Sequence, residues 1–223
     1  MTTEPKAKKK ATTPKYKFQH IVKTGLEIEG GWNERPTRNQ DGGPVYDGSV
    51  SHPGGNYHGE VRSRPVSRYS TAMKFLEQNW PDHMNRTCGF HIHISVKSDH
   101  DYSSLMDHRF YDYFLARMES WGKRWNIKNS EFWNRLNGAN NFCRKDFSPE
   151  AQARSTYKYA DVRYRHWNFC YMIHKTLECR MLPVFKEVRI AKAAATEVYD
   201  IVESWLEKSP EEFSVGGKEY VTE

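Results

Sequence analysis

The sequence lacks the motifs that mark the commonest nucleotide-binding loops. It has no GxxxxGK[ST] stretch, which argues against a P-loop, and no GxGxxG stretch after a strand pattern, which argues against a Rossmann site. It also shows no convincing Ser/His/Asp or Cys/His arrangement for nucleophilic catalysis. A functional site therefore has to be sought in the pattern of its strands.

Long apolar runs are also missing. No stretch approaches the roughly 20 residues that a membrane-spanning helix needs, and the basic N-terminus has no apolar segment of the kind found in secretory signals. We therefore expect a cytoplasmic protein without membrane contact. In that compartment we expect reduced, buried thiols rather than disulfides. The four cysteines form no CxxC pair and are Cys88, Cys143, Cys170 and Cys179.

The excess of basic residues is mostly local. The 223 residues carry a formal net charge of +6, but residues 1–15 alone hold five Lys and one Glu. We predict that 1–15 form a disordered Lys-rich arm, either a solubilising tail or an electrostatic tether, and that 16–223 form a single domain. The near-neutral remainder argues against nucleic-acid binding. Because 14% of the residues are aromatic, this domain should bury a sizeable core despite a mean hydropathy of −0.89.

Hydrophobic periodicity predicts an α+β fold. Strands that follow one another without an intervening helix indicate an antiparallel or mixed sheet rather than a doubly wound nucleotide fold. We predict strands at 17–31, 45–51, 57–64, 87–97, 162–171 and 174–182. We predict helices at 68–79, 103–124, 130–137 and 187–207, with a polar irregular segment at 138–156.

Polar side chains recur on one face of these strands. In residues 25–29, for example, Leu26 and Ile28 share one face while Glu27 and Glu29 share the other. In a soluble protein, one face of an antiparallel sheet can be polar simply because it is exposed to solvent. Here, however, the polar positions are selectively carboxylate, imidazole, amide and guanidinium: Glu27, Glu29, Glu60, His91, His93, Asn168, Glu178 and Arg180.

This selection of residues has a chemical consequence. Clustered carboxylates repel one another unless a cation lies between them or they share protons. Oxygen ligands from several Glu suit hard cations such as Mg²⁺ or Mn²⁺, and an arginine beside such ions suits phosphate oxygens. Glu, metal and Arg together indicate phosphoryl transfer from a nucleotide.

The order of these motifs resembles the amidoligase family, a branch of the carboxylate–amine ligases that includes glutamine synthetase and glutamate–cysteine ligase. The resemblance covers about residues 17–205. The matching pieces are GLEIE at 25–29, DGS at 47–49, GEVRS at 59–63, CGFHIHI at 88–94, RLN to NFC at 135–143, RY at 163–164 with Asn168, and TLECR at 176–180.

The resemblance implies a curved, mainly antiparallel sheet with helices on its convex face, and a site for ATP and two or three Mg²⁺ or Mn²⁺ ions. It implies an amide-forming ligase in which a glutamate-like or peptide carboxylate becomes an acyl phosphate and an amine displaces phosphate. The metal ligands would be Glu27, Glu29, Glu60, Glu178 and His91 or His93. Phosphate or nucleotide would be bound by Arg180, Asn168, Arg163 and Arg62. Substrate would be bound by Asp47, Ser49, Arg64 and Arg135. The catalytic residues would be Arg180, Glu60 and Glu178.

Three other hypotheses remain open on the sequence. A zinc hydrolase could use His91 and His93 with a third ligand from Cys88, His52 or His58. A basic nucleic-acid-associated protein could use the Lys-rich arm with exposed aromatic residues, although no RRM, KH or zinc-finger signature occurs. An inactive relative could retain the fold as a scaffold. The sequence does not define the oligomeric state.

Overall fold

The computed structural model describes residues 17–45, 50–51 and 53–208. Six strands form an open sheet in this part of the chain, with helices between and after them. The strands are β1 Ile21–Trp32, β2 Gly42–Val45, β3 Tyr57–Ser63, β4 Gly89–Val96, β5 Trp167–Cys170 and β6 Thr176–Pro183. The helices are α1 Tyr69–Asn79, α2 Asp99–Ser104, α3 His108–Arg124, α4 Ser130–Leu136, α5 Pro149–Arg154, α6 Tyr171–His174 and α7 Val188–Glu207.

The sheet has the strand order β2-β3-β1-β4-β6-β5, and every neighbouring pair is antiparallel. This confirms the predicted α+β class and antiparallel pairing. The long strand β1 lies between β3 and β4, so that residues far apart in the sequence meet across it. The edges of the sheet are β2 and β5, which are only four residues long each.

The two faces of the sheet differ as the alternation in β1 predicts. Leu26 and Ile28 belong to one buried apolar cluster together with side chains of the helices α1, α3 and α7. Burying these side chains contributes about 25 cal/mol for each Å² of apolar surface removed from water. The opposite face presents Glu27 and Glu29, and the residues beside them on neighbouring strands are also polar.

The helix predicted at 103–124 is two helices in the structure. Helix α2 begins after Ser98, whose Oγ accepts a hydrogen bond from the backbone NH of Asp101. Helix α3 begins after Asp107, whose carboxylate accepts the backbone NH of Arg109 at 2.8 Å. Each cap satisfies an NH group that the first turn of a helix leaves unpaired, so that a short helix and a longer one replace the single predicted helix.

Three further segments differ from the prediction. The irregular segment 138–156 contains α5, which begins at Pro149, a residue that suits the first helical position. The strand predicted at 162–171 is a 3₁₀ turn at Asp161–Arg163 followed by the short strand β5. The strand predicted at 45–51 lies partly outside the described residues, and β2 precedes it. The predicted arm at 1–15 also lies outside them.

None of the described helices combines the length and the apolar composition that crossing a membrane requires.

Candidate active site

Strand register brings the polar residues of the sheet face together. In an antiparallel sheet, residues directly opposite each other project from the same face. Glu27 on β1 is opposite Arg62 on β3 and opposite His91 on β4. A bulge in the β4–β6 pairing, between Phe90 and Ile92, adds Arg180 beside this row. Four charged or titratable side chains from four strands therefore line one stripe of the sheet.

Two further rows flank this stripe. On one side, Glu178 of β6 is opposite both His93 and Asn168. On the other side, Glu29 is opposite Glu60, and the Glu29 carboxylate accepts the backbone NH of Gly89 at 2.5 Å. The structure thus brings the predicted carboxylates and histidines to one contiguous polar face.

Glu27, His91 and Glu178 form the centre of this face. The His91 Nδ1 atom lies 3.4 Å from an oxygen of Glu27 and 3.4 Å from an oxygen of Glu178. One ligand atom from each residue lies within 4.8 Å of the others. Burial by itself would raise the pKa of Glu27, but hydrogen bonds with His91 and His93 hold it well below its usual range. Two ionised carboxylates and an imidazole can together hold a divalent cation.

Glu60 lies deeper and is paired with arginine. It is 2% exposed, and Arg62 donates to its two oxygens through Nε and through an NH2 group, the latter at 2.7 Å. Arg62 Nε also lies 3.3 Å from Glu27. Burial nevertheless raises the pKa of Glu60 to about 8, because it outweighs the effect of Arg62 and is reinforced by the charges of Glu27 and Glu29.

Glu178 pairs with Arg180, which is buried. An Arg180 NH1 group donates to Glu178 at 2.5 Å, and the Asn168 amide donates to its second oxygen at 2.8 Å. Burial alone would raise the pKa of Glu178, but the charges of Arg180, His93 and His91 lower it to about 2. Arginines therefore offset much of the carboxylate charge for which the sequence analysis had expected a bound cation.

A cleft of about 460 Å³ opens above these rows. Its far wall comes from the segment 158–164 and includes Tyr164, which is approached by two guanidinium groups. The Arg163 Cζ atom lies 5.3 Å from the ring centroid and the Arg180 Cζ atom 5.7 Å from it. The Nε atoms of both arginines are buried and have no hydrogen-bond partner. Because unpaired buried donors are costly, these two atoms indicate a place for an anionic ligand.

A second cavity, of about 490 Å³, adjoins the first on the other side of Glu27 and Arg62. It shares Glu27, Arg62 and Lys158 with the cleft. Its remaining wall is poor in carboxylates and rich in hydroxyl and basic groups: Lys23, Thr24, Ser63, Ser95, His174 and Thr176. The polar face therefore offers two adjacent compartments with different chemistry.

The remaining predicted site residues lie at different distances from the cleft. Arg135 is buried in its floor and donates to the backbone carbonyls of Arg180 and Cys88 at 3.3 and 3.2 Å. Arg64 is exposed after the end of β3, and the residues lining the cleft do not include it. Asp47 and Ser49 lie outside the described residues.

Several residues of the site were missed by the sequence analysis. Lys158 and Tyr159 line the cleft from the stretch between the predicted irregular segment 138–156 and the strand predicted at 162–171. The alternation of aromatic and basic residues at 157–159 is the signal that could have indicated them. Cys170 also lies near the polar face, within 4.8 Å of ligand atoms of His93 and Glu178.

The third zinc ligands considered from the sequence are placed elsewhere. The Cys88 thiol contacts the side-chain oxygen of Asn85 at 3.6 Å. His58 is exposed on β3 opposite Gly31. His52 lies outside the described residues. Among the described residues, the two groups with metal-binding potential are Glu27–His91–Glu178 and His93–Cys170–Glu178.

Comparison with known proteins gives no match to a protein-family model, to a curated protein or to a solved structure.

Proposed function

We propose that the protein is an ATP-dependent carboxylate–amine ligase that resembles the amidoligases. The proposal rests mainly on one observation: Arg163 and Arg180, whose Nε atoms are buried and have no hydrogen-bond partner, line the same cleft as Glu27 and His91 of the group Glu27–His91–Glu178. Cation ligands and anion donors that line one cleft are what a metal–nucleotide complex requires.

The donor set fits a divalent cation. Glu27 and Glu178 supply hard oxygen ligands, which Mg²⁺ and Mn²⁺ prefer, and His91 supplies a nitrogen that Mn²⁺ accepts more readily than Mg²⁺. Glu29 and Glu60 lie in the adjacent row and could hold a further ion. A bound ion would supply charge neutralisation for phosphate oxygens.

The protein's own groups have separate tasks in this proposal. Arg163 and Arg180 bind phosphate oxygens and offset the charge that develops during phosphoryl transfer. Asn168 keeps the Glu178 carboxylate in place through its hydrogen bond of 2.8 Å. The exposed ring of Tyr159 and the half-exposed ring of Phe142 border the cleft and offer stacking surfaces for a nucleotide base.

The second cavity suits the other substrates. Lys23 and Lys158 are basic, and the hydroxyl groups around them can bind a carboxylate. A carboxylate oxygen placed there would attack the γ-phosphorus of ATP, ADP would leave, and an acyl phosphate would form. An amine would then attack the acyl carbon and release phosphate. The net reaction joins a carboxylate and an ammonium group into an amide and converts ATP to ADP and phosphate, with release of a proton.

A zinc hydrolase is the strongest alternative, since three ligands and an open position suffice for it. It assigns no task to the unpaired donors of Arg163 and Arg180, which is why the ligase is preferred. A nucleic-acid partner has no support in the cleft, where carboxylates lie beside the basic groups.

The test is an ADP-release assay with Mg²⁺, using pooled amino acids and short peptides as carboxylates and amines. Turnover should require both substrate classes and should fall at least about 100-fold in Glu178→Gln and in Arg180→Lys. Glu119→Gln is the matched control, because Glu119 is exposed on α3. If ATP causes neither thermal stabilisation nor turnover with any pool, the ligase proposal fails.

A further inference from the structure

Cys170 is the one thiol of the described chain that lies beside an imidazole and a carboxylate on the polar face. It ends β5, His93 comes from β4 and Glu178 from β6. One ligand atom from each residue lies within 4.8 Å of the others. The proposed ligase reaction assigns no task to Cys170.

The local contacts concentrate donor atoms at this point. The Cys170 sulfur lies 3.2 Å from the hydroxyl of Thr176, and the His93 Nδ1 atom lies 3.4 Å from the same hydroxyl. The His93 Nε2 atom is buried and lies 3.3 Å from Glu27 Oε1 and 3.9 Å from Glu178 Oε1. Its nearest charged neighbours are therefore two carboxylates, whose mutual repulsion a bound cation would offset.

The chemistry of this set differs from that of Glu27–His91–Glu178. A thiolate is a soft ligand that Mg²⁺ does not select, whereas zinc accepts thiolate, imidazole and carboxylate together. Around a tetrahedral zinc ion, bonds of about 2.3 Å to sulfur and about 2.0 Å to nitrogen or oxygen place the ligand atoms about 3.3–3.6 Å apart. The three ligand atoms lie within 4.8 Å of one another, so that side-chain movements of about 1 Å would bring them to this geometry.

The sequence spacing is also compact. Cys170, His174 and Glu178 follow one another at intervals of four residues around the turn formed by α6. The His174 ring lies with its centroid 6.2 Å from that of His93, at the mouth of the second cavity. From the solvent side, His174 can supply a fourth ligand to an ion held by His93, Cys170 and Glu178.

From this geometry we infer that His93, Cys170 and Glu178 form a binding site for a soft divalent cation such as Zn²⁺, with His174 at its open side. Binding replaces the proton of the Cys170 thiol with the metal and releases that proton to solvent. The ion would link β4, β5 and β6. It would also share Glu178 with the Glu27–His91–Glu178 group, so that zinc and a hard cation compete for one carboxylate. The thiolate site itself does not depend on the proposed ligase activity.

Cobalt provides a direct spectroscopic probe. The full-length protein is stripped with a chelator, kept reduced, and titrated with Co²⁺. We expect a near-ultraviolet thiolate-to-cobalt charge-transfer band that saturates at about one equivalent and disappears when Zn²⁺ is added. Cys170→Ser should lose the band, while the matched control Cys88→Ser should keep it. Absence of the band in the wild type, or an equal band in Cys170→Ser, would overturn the inference.

A second measurement needs no variant. Zinc-edge X-ray absorption of the zinc-loaded wild type should show one sulfur ligand at about 2.3 Å. A shell of only nitrogen and oxygen ligands would contradict the site even if zinc binds tightly. Because both measurements detect the metal–sulfur bond, their failure leaves the ATP-binding proposal unaffected, and failure of ATP binding leaves this site unaffected.

Discussion

Removal of the Arg180 guanidinium tests whether the buried charges of the polar face are coupled. Arg180 and Glu178 are 4% and 3% exposed and are joined at 2.5 Å. The folded environment lowers the pKa of Glu178 from its ordinary value of 4.5 to about 2. At 1.36 kcal/mol per unit, this shift corresponds to about 3 kcal/mol of stability. Loss of one partner of a buried ion pair is independently expected to cost about 3–5 kcal/mol.

We therefore expect Arg180→Met to lower the free energy of unfolding by about 3 kcal/mol at pH 7. Because the folded pKa of Glu178 is depressed, its stabilising contribution is fully present above pH 4.5 and is lost as the pH falls towards about 2. The difference between wild type and Arg180→Met should accordingly shrink in acid. The double variant Arg180→Met/Glu178→Gln should recover about 2 kcal/mol of the loss, since it leaves no unpaired charge.

The assay is urea unfolding followed by tryptophan fluorescence, with a chelator present so that bound metal does not contribute. Lys123→Ala is the matched control, because Lys123 and Glu119 are joined at 2.6 Å but are exposed. Lys123→Ala should lower the free energy of unfolding by no more than about 0.5 kcal/mol. If the effects of Arg180→Met and Glu178→Gln simply add, the coupling across the polar face is refuted.

Three further predictions concern Glu60, Gly89 and Glu203. Burial, reinforced by the charges of Glu27 and Glu29, raises the pKa of Glu60 to about 8. The metal-free folded state should therefore lose stability as the pH rises from about 4.5 to 8. Glu60→Gln should remove this slope in pH-dependent unfolding and be the more stable protein at pH 8, by up to about 5 kcal/mol; a slope equal to that of wild type would contradict the buried, protonated carboxyl. A Cβ atom at Gly89 would lie 2.5 Å from His91 Nε2, so Gly89→Ala should weaken Mn²⁺ binding in a calorimetric titration by at least about 10-fold, and unchanged affinity would show that His91 holds no metal. The Glu203 carboxylate accepts backbone NH groups of residues 19–21 at 2.8–3.0 Å, and Glu203→Gln should cost about 1–3 kcal/mol of unfolding free energy in urea; a loss below about 0.5 kcal/mol would contradict that anchoring role.

The polar face could be predicted because residues 25–29 of β1 alternate between apolar and polar with a period of two. Leu26 and Ile28 define the buried face, so Glu27 and Glu29 must lie on the other face. The same alternation in β4 places His91 and His93. What the pattern could not provide is the order of the strands. The pairing of β1 with β4 depends on contacts between residues more than 60 positions apart.

The charge balance of the site also needed three-dimensional information. The sequence pattern led us to expect a cation between the carboxylates, and the structure places Arg62 between Glu27 and Glu60. Cys170 escaped notice because its partner His93 is 77 positions away in the chain. The start of α3 was missed because its cap, Asp107, lies inside the helix-like hydrophobic pattern of residues 103–124.

The central claim is that the cleft binds a metal–nucleotide complex, and calorimetric titration with a non-hydrolysable ATP analogue tests it most directly. The wild type should bind the analogue with Mg²⁺ or Mn²⁺ and not in the presence of a chelator. Arg163→Ala should weaken binding at least about 10-fold by removing a charged donor, while Arg189→Ala, an exposed position on α7, should bind as the wild type does. The account would be contradicted if the analogue did not bind with either metal. It would also be contradicted if the affinity stayed the same in the presence of the chelator and in Arg163→Ala.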